Sequence, residues 1–310
     1  MSMKQRKYHM LTILGPTASG KTTVAAHAAK QLDGEIISAD SRQIYRGMDL
    51  GTGKDYEDYQ IEGQNIPYHL IDIVEAGFEY NVYLFHNDFL SAYNDITKRG
   101  KFPVLCGGSG LYIEAVLNNY QLIQVPKNHE LRKELDPKNL DQLVQLLLAM
   151  KPEQHNTTDT ENRRRVIRAI EIETYLRQNP ELSNNMPEIN SLVVGVKYDR
   201  EHRRKRITER LKQRLEEGML DEVQRLLDKG LAPEQLTYYG LEYKYLTLHL
   251  IGEISYEEMF TKLEIAIHQF AKRQMTWFRR MEKNGTQIHW LDGFMPLEEK
   301  LEKISQWLEY

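Results

Sequence analysis

The sequence predicts an α/β fold in which helices flank a parallel sheet and an all-helical domain is inserted into the chain. Short strand-like runs alternate with helical patterns, an arrangement typical of parallel sheets. The alternation stops between about residues 125 and 188, where only helical patterns occur. The predicted strands are residues 8–14, 35–39, 68–73, 102–106, 191–197 and 286–291.

A glycine-rich phosphate-binding loop joins the first strand to the first helix. Its residues are Gly15, Pro16, Thr17, Ala18, Ser19, Gly20, Lys21 and Thr22. In this pattern backbone N–H groups turn towards phosphate oxygens, Lys21 reaches the terminal phosphates and Thr22 can hold Mg²⁺. The helix N-terminus also favours anions. We therefore expect a P-loop NTPase-like sheet whose loop binds a diphosphate or triphosphate.

The composition is that of an ordinary globular protein, because 41% of the 310 residues are hydrophobic and 28% are charged. No run of the sequence resembles a membrane span or a signal peptide, so we expect a cytoplasmic protein. The single cysteine, Cys106, excludes an internal disulfide and a cysteine-based zinc site, and we expect it in the core. No apolar seam indicates a dimer, so a monomer is expected.

The helical stretch divides the chain into three segments. Residues 1–124 are predicted to form the first part of a P-loop catalytic core, 125–189 a helical insertion, and 190–310 the second, mostly helical part of the core. Helices are predicted at 129–150 and 160–178 within the insertion. The net charge is −4, but basic residues cluster in the second half of the chain. Such clusters suit either a nucleic-acid partner or a solvated helix face.

A helix predicted at residues 264–283 has one apolar and one basic side. The apolar side, expected to pack in the core, contains Ile267, Phe270, Ala271, Met275, Phe278 and Met281. The basic side contains Lys272, Arg273, Arg279, Arg280 and Lys283. This side meets either anions or water, and charge alone does not decide between them.

Asp40 is the candidate catalytic carboxylate. P-loop hydrolases and kinases carry an Asp for Mg²⁺ at the end of a second apolar strand. The strand 102–106 continues into Gly107 without an acid, whereas the strand 35–39 ends in Asp40. Asp40 should lie near the loop if its strand neighbours the first. There it would accept a proton or position Mg²⁺; the alternative is that it only caps the helix beginning near Arg42.

Five ordered motifs resemble those of the tRNA dimethylallyltransferase family. They are residues 15–22, 40–52, 107–112, 165–171 and 271–279, and the similarity runs from the first strand to about Asp292. The resemblance implies transfer of a dimethylallyl group from its diphosphate to the exocyclic amino nitrogen of an adenosine. That adenosine is the one 3′-adjacent to the anticodon in tRNAs that read codons beginning with U.

The resemblance also implies roles for individual residues. Lys21, Thr22 and the loop amides would stabilise the departing diphosphate together with Mg²⁺, which Thr22 and Asp40 would hold. Asp40 would take the proton from the adenine amine, and Ser109 would line the same pocket as a further catalytic residue. The target base would be turned out of its stack. The residues expected to bind tRNA are Asp40, Ser41, Arg42, Gln43, Ser109, Arg132, Arg164, Arg165, Arg168, Lys272, Arg273, Gln274, Thr276, Trp277 and Arg279.

The sequence departs from the family pattern at three places. Ser109 stands where the family usually has Thr. Residues 53–55 are Gly-Lys-Asp where the family has Ala-Lys-Pro, which indicates a differently shaped loop. Residues 241–243 are Leu-Glu-Tyr where the family has Tyr-Lys-Glu, which puts an acid in an RNA-facing segment.

Three alternative functions follow from the same residues. A dimethylallyltransferase acting on free adenine nucleotides would have no use for Arg164, Arg165 and Arg168. A P-loop nucleotide kinase or nucleotidase, with the insertion as a lid, needs a metal carboxylate that the sequence does not place. A non-catalytic RNA-binding protein would leave the phosphate-binding loop without a purpose.

Overall fold

The computed structural model describes residues 7–120, 122–151, 158–181 and 187–309 of the chain. The chain divides into two compact units. The larger unit consists of Met1–Tyr120 and Glu188–Tyr310, and the smaller of Gln121–Pro187. No helix within the described ranges is both long enough and apolar enough to cross a membrane.

The larger unit contains a six-stranded parallel sheet, which confirms the predicted fold class. The strands of the described residues are β1 (Met10–Leu14), β2 (Gly34–Ala39), β3 (Gln60–Ile61), β4 (Gln64–Asn65), β5 (Tyr68–His69), β6 (Phe102–Gly107), β7 (Ser191–Lys197) and β8 (His289–Asp292). The sheet has the order β5-β2-β6-β1-β7-β8, whereas β3 and β4 form a separate antiparallel hairpin. β1, β2 and β6 are buried along their whole length, as expected for central strands of a parallel sheet.

Helices make up most of the remaining described chain. They are α1 (Lys21–Gln31), α2 (Val82–Lys98), α3 (Gly110–Leu117), α4 (His129–Leu135), α5 (Leu140–Met150), α6 (Thr158–Glu161), α7 (Arg163–Gln178), α8 (Arg200–Glu216), α9 (Met219–Asp228), α10 (Pro233–Leu236), α11 (Leu241–Leu250), α12 (Tyr256–Lys283) and α13 (Leu297–Glu309). Four of these, α4 to α7, belong to the smaller unit. Its core is formed by Leu135, Leu143, Leu147, Val166, Ile167 and Ile170.

Some predicted strands are too long. The strand predicted at 68–73 joins the sheet only as far as His69, because Leu70 and Asp72 have φ angles of 63° and 56°. This left-handed conformation cannot continue an extended strand. The strands predicted from residues 8 and 286 begin later, at Met10 and His289.

Three predicted helices have limits that differ from those in the structure. Residues 129–150 form two helices, because α4 ends at Leu135 and the Asn139 side chain caps a new helix. Residues 160–178 likewise contain the end of α6 and all of α7, which Asn162 caps. α12 begins at Tyr256, before the predicted residue 264, and the capping box of Ser255 and Glu258 was the available sequence signal.

The predicted apolar side of α12 is buried except at one position. Met275 and Phe278 are 5% and 0% exposed, as expected, whereas Phe270 is 39% exposed, so its assignment to the core was wrong. Gln274 takes a buried place on this side of the helix instead. The Arg273 guanidinium lies over the Phe270 ring, 5.9 Å from its centre. Cys106 is buried, as predicted.

A buried carboxylate ties the start of β2 to its neighbours. Glu35 accepts hydrogen bonds from Arg99 Nη1 and, at 2.7 Å, from Arg99 Nη2, and it lies 2.7 Å from His69 Nε2. The hydrogen bonds from Arg99 outweigh burial and, with the contribution of His69, lower the pKa of Glu35 to about 2. This ion pair therefore stabilises the folded protein while Glu35 is ionised.

Candidate active site

The phosphate-binding loop connects the end of β1 to the first turn of α1. Ala18 and Gly20 have φ angles of 60° and 77°, which turn the backbone sharply before Lys21. The N–H groups of Gly20, Lys21 and Thr22 have no acceptor among the residues that the structure describes. Because these groups lie at a helix N-terminus, they form a cradle suited to phosphate oxygens.

Gln274 braces the loop from α12. Its Oε1 atom accepts a hydrogen bond from Thr17 N at 2.9 Å, and its Nε2 atom donates one to the Gly108 carbonyl at 3.0 Å. The side chain is 7% exposed. Both ends of the side-chain amide are bonded inside the protein. The structure therefore gives Gln274 a bracing role, which differs from the RNA contact that was predicted. The Thr17 amide is likewise occupied and does not point freely into the cradle.

Asp40 follows β2 directly, at the carboxyl edge of the sheet where the phosphate-binding loop also lies. The strand before Asp40 was assumed to neighbour the first strand. This was wrong, because β6 lies between β1 and β2. Asp40 Oδ1 accepts a hydrogen bond from Arg42 N at 3.0 Å, but residues 41–44 form a turn and not the helix that the capping alternative assumed. Its Oδ2 atom has no donor within the described part of the chain. One carboxylate oxygen is therefore fixed and the other is available for chemistry.

Ser109, Ser41 and Gln43 form a polar group beside Asp40. Ser109 Oγ accepts a hydrogen bond from Ser41 N at 3.0 Å, so the predicted association of Ser109 with residues 40–43 is present in the structure. Gln43 Oε1 accepts from Ser38 Oγ at 3.0 Å, and its Nε2 atom donates to the Gly53 carbonyl at 2.9 Å. Gln43 thus ties the segment after β2 to the loop around Gly53.

The electrostatic surroundings of Lys21 match an anion site. Burial lowers the pKa of its ammonium group, while the nearby Asp40 carboxylate raises it. Lys21 has no ion-pair partner among the described residues. Burial raises the pKa of the adjacent Cys106 thiol to about 12, so this cysteine is a neutral core residue. A partly buried cation without a carboxylate partner is suited to a phosphate group.

Three arginines of α8, spaced four residues apart, were not among the predicted site residues. Arg206 Nε donates to the Ala18 carbonyl at 3.0 Å, and Arg210 and Arg214 both pair with Asp55. The spacing i, i+4, i+8 on one helix face was the signal that could have identified them. Burial raises the pKa of the half-buried Glu242, and Arg214 and Arg210 lower it. The acid expected in an RNA-facing segment thus lies within electrostatic range of these arginines.

The predicted RNA-contacting residues of α12 differ in exposure. Lys272, Arg273, Thr276 and Arg279 are exposed, and none of these basic side chains forms an ion pair in the described ranges. Trp277 is half-buried, lies against Gly110, and has the Arg280 guanidinium 3.9 Å from its ring centre. Trp277 therefore packs within the larger unit, whereas the exposed basic side chains remain available to a phosphate backbone.

The four arginines of the smaller unit that were predicted to bind tRNA divide into two pairs. Arg132 Nε and Arg168 Nη1 donate to the buried Glu171 at 2.6 and 3.0 Å. Burial raises the pKa of Glu171, but these arginines, with a backbone hydrogen bond, lower it to about 2. Arg164 and Arg165 are exposed and form no ion pair within the described residues. Arg132 and Arg168 thus have a structural role in addition to any RNA contact.

Comparison with known proteins identifies the family. The model of a family described as IPP transferase matches residues 43–281, which is most of the chain. The chain belongs to the IPP transferase family. Its match includes the segment after Asp40 and nearly all of α12.

Relatives in this family match almost the full length of the chain. The chain is 58% identical over 307 residues to tRNA dimethylallyltransferase 2 of Bacteroides fragilis, covering 99% of each protein. It is 59% identical over 297 residues to tRNA dimethylallyltransferase 1 of Parabacteroides distasonis, covering 96% of each. The solved tRNA isopentenylpyrophosphate transferase of Bacillus halodurans has a TM-score of 0.71 and 32% identity, with 98% of this chain and 96% of that chain covered.

Proposed function

We propose that this member of the IPP transferase family is a tRNA dimethylallyltransferase. The observation that carries the proposal is the placement, at one edge of the sheet, of an anion cradle and of Asp40 with one oxygen available. The relatives that match almost the whole chain bear this name. The proposed acceptor is the exocyclic amino nitrogen of the adenosine 3′-adjacent to the anticodon, in tRNAs reading codons that begin with U.

The residues of the site account for each change in bonding. The allylic C–O bond of dimethylallyl diphosphate breaks, and diphosphate leaves with its electron pair. The adenine nitrogen forms a bond to the same carbon and loses a proton to Asp40. The cradle amides and the Lys21 ammonium would stabilise the charge that develops on the leaving diphosphate. Ser109 would support this arrangement by holding Ser41 beside Asp40.

The donors near the loop fit Mg²⁺ as a partner shared with the diphosphate. Thr22 supplies a hydroxyl and Asp40 a carboxylate oxygen, which are the hard donors that Mg²⁺ prefers. Ser19 Oγ is buried without a partner in the described chain. No cluster of three or more His, Cys, Asp or Glu in that part of the chain would hold a metal unaided. When bound with the diphosphate, the ion would neutralise negative charge on the leaving group.

The exposed arginines and lysines suit the backbone of a tRNA. In the smaller unit these are Arg164 and Arg165, and on α12 they are Lys272, Arg273 and Arg279. Cations without carboxylate partners gain more from phosphate contact than cations already paired. Turning out the target base costs least in an unpaired loop. Because tRNA is the proposed substrate, we also propose a cytoplasmic location.

A transfer assay tests this function against its alternatives. The protein would be incubated with labelled dimethylallyl diphosphate and Mg²⁺, and given unmodified tRNA or AMP in separate reactions. We expect label in tRNA, at the adenosine next to the anticodon. Label in AMP alone would instead identify a free-nucleotide enzyme, and turnover of ATP without transfer would identify a kinase or nucleotidase. Binding of tRNA without any transfer would indicate a non-catalytic RNA-binding protein.

A further inference from the structure

A carboxylate shared by two arginines lies near the phosphate-binding loop. Asp55 accepts hydrogen bonds from Arg210 Nη2 at 2.6 Å and from Arg214 Nη2 at 2.8 Å. The Arg210 and Arg214 side chains are only 28% and 11% exposed, which limits the screening of these charges by water. We refer to Asp55, Arg210 and Arg214 together as the Asp55 bridge.

Gly53 leaves the space that the two guanidinium groups occupy. A Cβ atom at Gly53 would lie 2.7 Å from Arg214 Nη2 and 2.8 Å from Arg210 Nη2. Residues 53 and 55 are also the positions at which the sequence departs from the family's Ala-Lys-Pro. One structural feature accounts for both departures, because glycine at 53 admits the guanidinium groups and aspartate at 55 pairs with them.

Neighbouring contacts connect the Asp55 bridge to the phosphate end of the site. Asp58, which follows Asp55 closely in the chain, accepts a hydrogen bond from Thr23 Oγ1 of α1 at 2.9 Å. On α8, Arg206 donates to the Ala18 carbonyl one turn before Arg210. The positive charge of Arg210 is also close enough to Lys21 to lower the pKa of its ammonium, after the larger effect of burial. Both segments of the bridge are therefore anchored to the phosphate-binding loop or its helix.

Arg210 retains unused hydrogen-bonding capacity. Only its Nη2 atom donates to Asp55, and its Nε and Nη1 atoms have no acceptor among the described residues. A guanidinium group has five N–H donors in a rigid fork suited to phosphate oxygens. Arg210 is thus held along one edge by Asp55 while its other donors remain free for an anion.

We propose that Asp55 and Arg214 are positioning residues that hold the Arg210 guanidinium where it binds the substrate diphosphate together with Lys21. Arg214 occupies the second oxygen of Asp55, so the carboxylate keeps one orientation towards Arg210. This inference rests on the proposed function, because it concerns the same diphosphate. It adds residues 53 and 55 of the loop and Arg214 of α8 to the determinants of diphosphate affinity.

Because Asp55 is charged, the direction in which its removal changes diphosphate affinity distinguishes two explanations. As an anion near the phosphate end, Asp55 repels diphosphate, so its removal would strengthen binding if charge alone mattered. As a positioning group, it reduces the conformational freedom that Arg210 must lose when diphosphate binds. Positioning therefore predicts weaker binding without Asp55, and simple charge addition predicts tighter binding.

Gly53→Ala provides a test with a close control in Gly63→Ala. Both glycines have left-handed backbones, with φ angles of 74° and 78°, so both variants carry similar backbone strain. No atom lies within 4 Å of a Cβ built at Gly63, whereas the one at Gly53 meets the bridge. Asp55→Ala has its own control in Asp95→Ala, which removes an exposed carboxylate 2.8 Å from Arg99.

Calorimetric titration of each full-length variant with inorganic diphosphate and Mg²⁺ measures the affinity of the site without transfer. We expect Gly53→Ala and Asp55→Ala to weaken diphosphate binding about tenfold, in the range for coupled neighbouring residues. The two control variants should stay within about twofold of the parent protein. In transfer assays the same two variants should raise the KM for dimethylallyl diphosphate about tenfold, with little change in the KM for tRNA.

Unchanged or tighter diphosphate binding in Asp55→Ala, with its folding intact by circular dichroism, would overturn the inference. So would equal weakening by Gly53→Ala and Gly63→Ala, because that result would assign the effect to backbone strain. A raised KM for tRNA alone in Gly53→Ala would point to Gln43, which donates to the Gly53 carbonyl, and would also count against the inference. If the parent protein binds diphosphate but transfers no label to tRNA, the proposed function fails while the positioning role is still measured by the titration.

Discussion

Replacing Gln274 with alanine distinguishes the brace observed in the structure from the RNA contact predicted from the sequence. Gln274 bonds Thr17 of the phosphate-binding loop and Gly108 after β6, and it is almost fully buried. Truncation removes both hydrogen bonds and leaves the loop without its link to α12. We therefore expect loss of stability and of diphosphate affinity, with tRNA affinity nearly unchanged.

The expected magnitude follows from the two backbone groups that lose their partners. The hydrogen bond to the Gly108 carbonyl is buried, and leaving such a group unsatisfied costs about 1–3 kcal/mol. The bond from Thr17 N is partly buried, and its loss costs about 1 kcal/mol, because water can replace the acceptor. The free energy of unfolding should therefore fall by about 2–4 kcal/mol in Gln274→Ala.

Urea unfolding and two separate titrations check this prediction. The free energy of unfolding would be measured for Gln274→Ala and for Gln224→Ala, an exposed glutamine whose amide donates to the Asp228 carboxylate. The control should change stability by less than about 0.5 kcal/mol. Titrations with diphosphate and with tRNA then locate any loss of binding. Unchanged stability with a tenfold or larger loss of tRNA affinity would refute the brace and restore the predicted RNA contact.

Four further predictions test other parts of the site. Asp40→Asn should lower turnover by about 10²- to 10⁴-fold with tRNA affinity nearly unchanged; equal losses in both would indicate a binding role. Replacing Arg164 and Arg165 together with alanine should weaken tRNA binding without loss of stability, whereas Arg132→Ala should destabilise the smaller unit in urea, and the reverse pattern would contradict the division between paired and free arginines. If about six phosphates are neutralised, tRNA affinity should fall on the order of 10³-fold between 50 and 200 mM salt, and a flat response would exclude a phosphate-backbone interface. The depressed pKa of Glu35, about 2, predicts stability that is present above pH 4.5, its usual pKa, and is lost as the pH falls towards 2; a urea-unfolding difference between the parent and Glu35→Gln that is as large at pH 2 as at pH 7 would contradict this.

Local patterns in the sequence were sufficient for several parts of the fold and site. The phosphate-binding loop could be recognised because its glycines, lysine and threonine are contiguous and lie between a strand and a helix. β7 has the predicted limits, since its apolar run is bounded on both sides by polar residues. The end of the strand that begins at residue 68 could not be predicted, because the positive φ angles of Leu70 and Asp72 occur at residues other than glycine.

Charge patterns were less informative than motifs. The sequence showed a basic group in the smaller unit, but it could not separate Arg132 and Arg168, which hold Glu171, from Arg164 and Arg165, which remain exposed. The difference depends on which side chains meet the buried carboxylate after α4 and α7 pack together. Such an assignment requires three-dimensional contacts, because all four residues have the same charge.

The sequence by itself determined the α/β fold class, the phosphate-binding loop and the candidate role of Asp40, because the alternation of strands and helices and the motifs can be read along the chain. Tertiary structure alone decided the position of β6 between β1 and β2 and the brace from Gln274 to Thr17, 257 residues away. It also decided the pairing of Asp55 with two arginines of α8. These features depend on packing between distant segments, and packing selects among partners that the local sequence leaves equivalent.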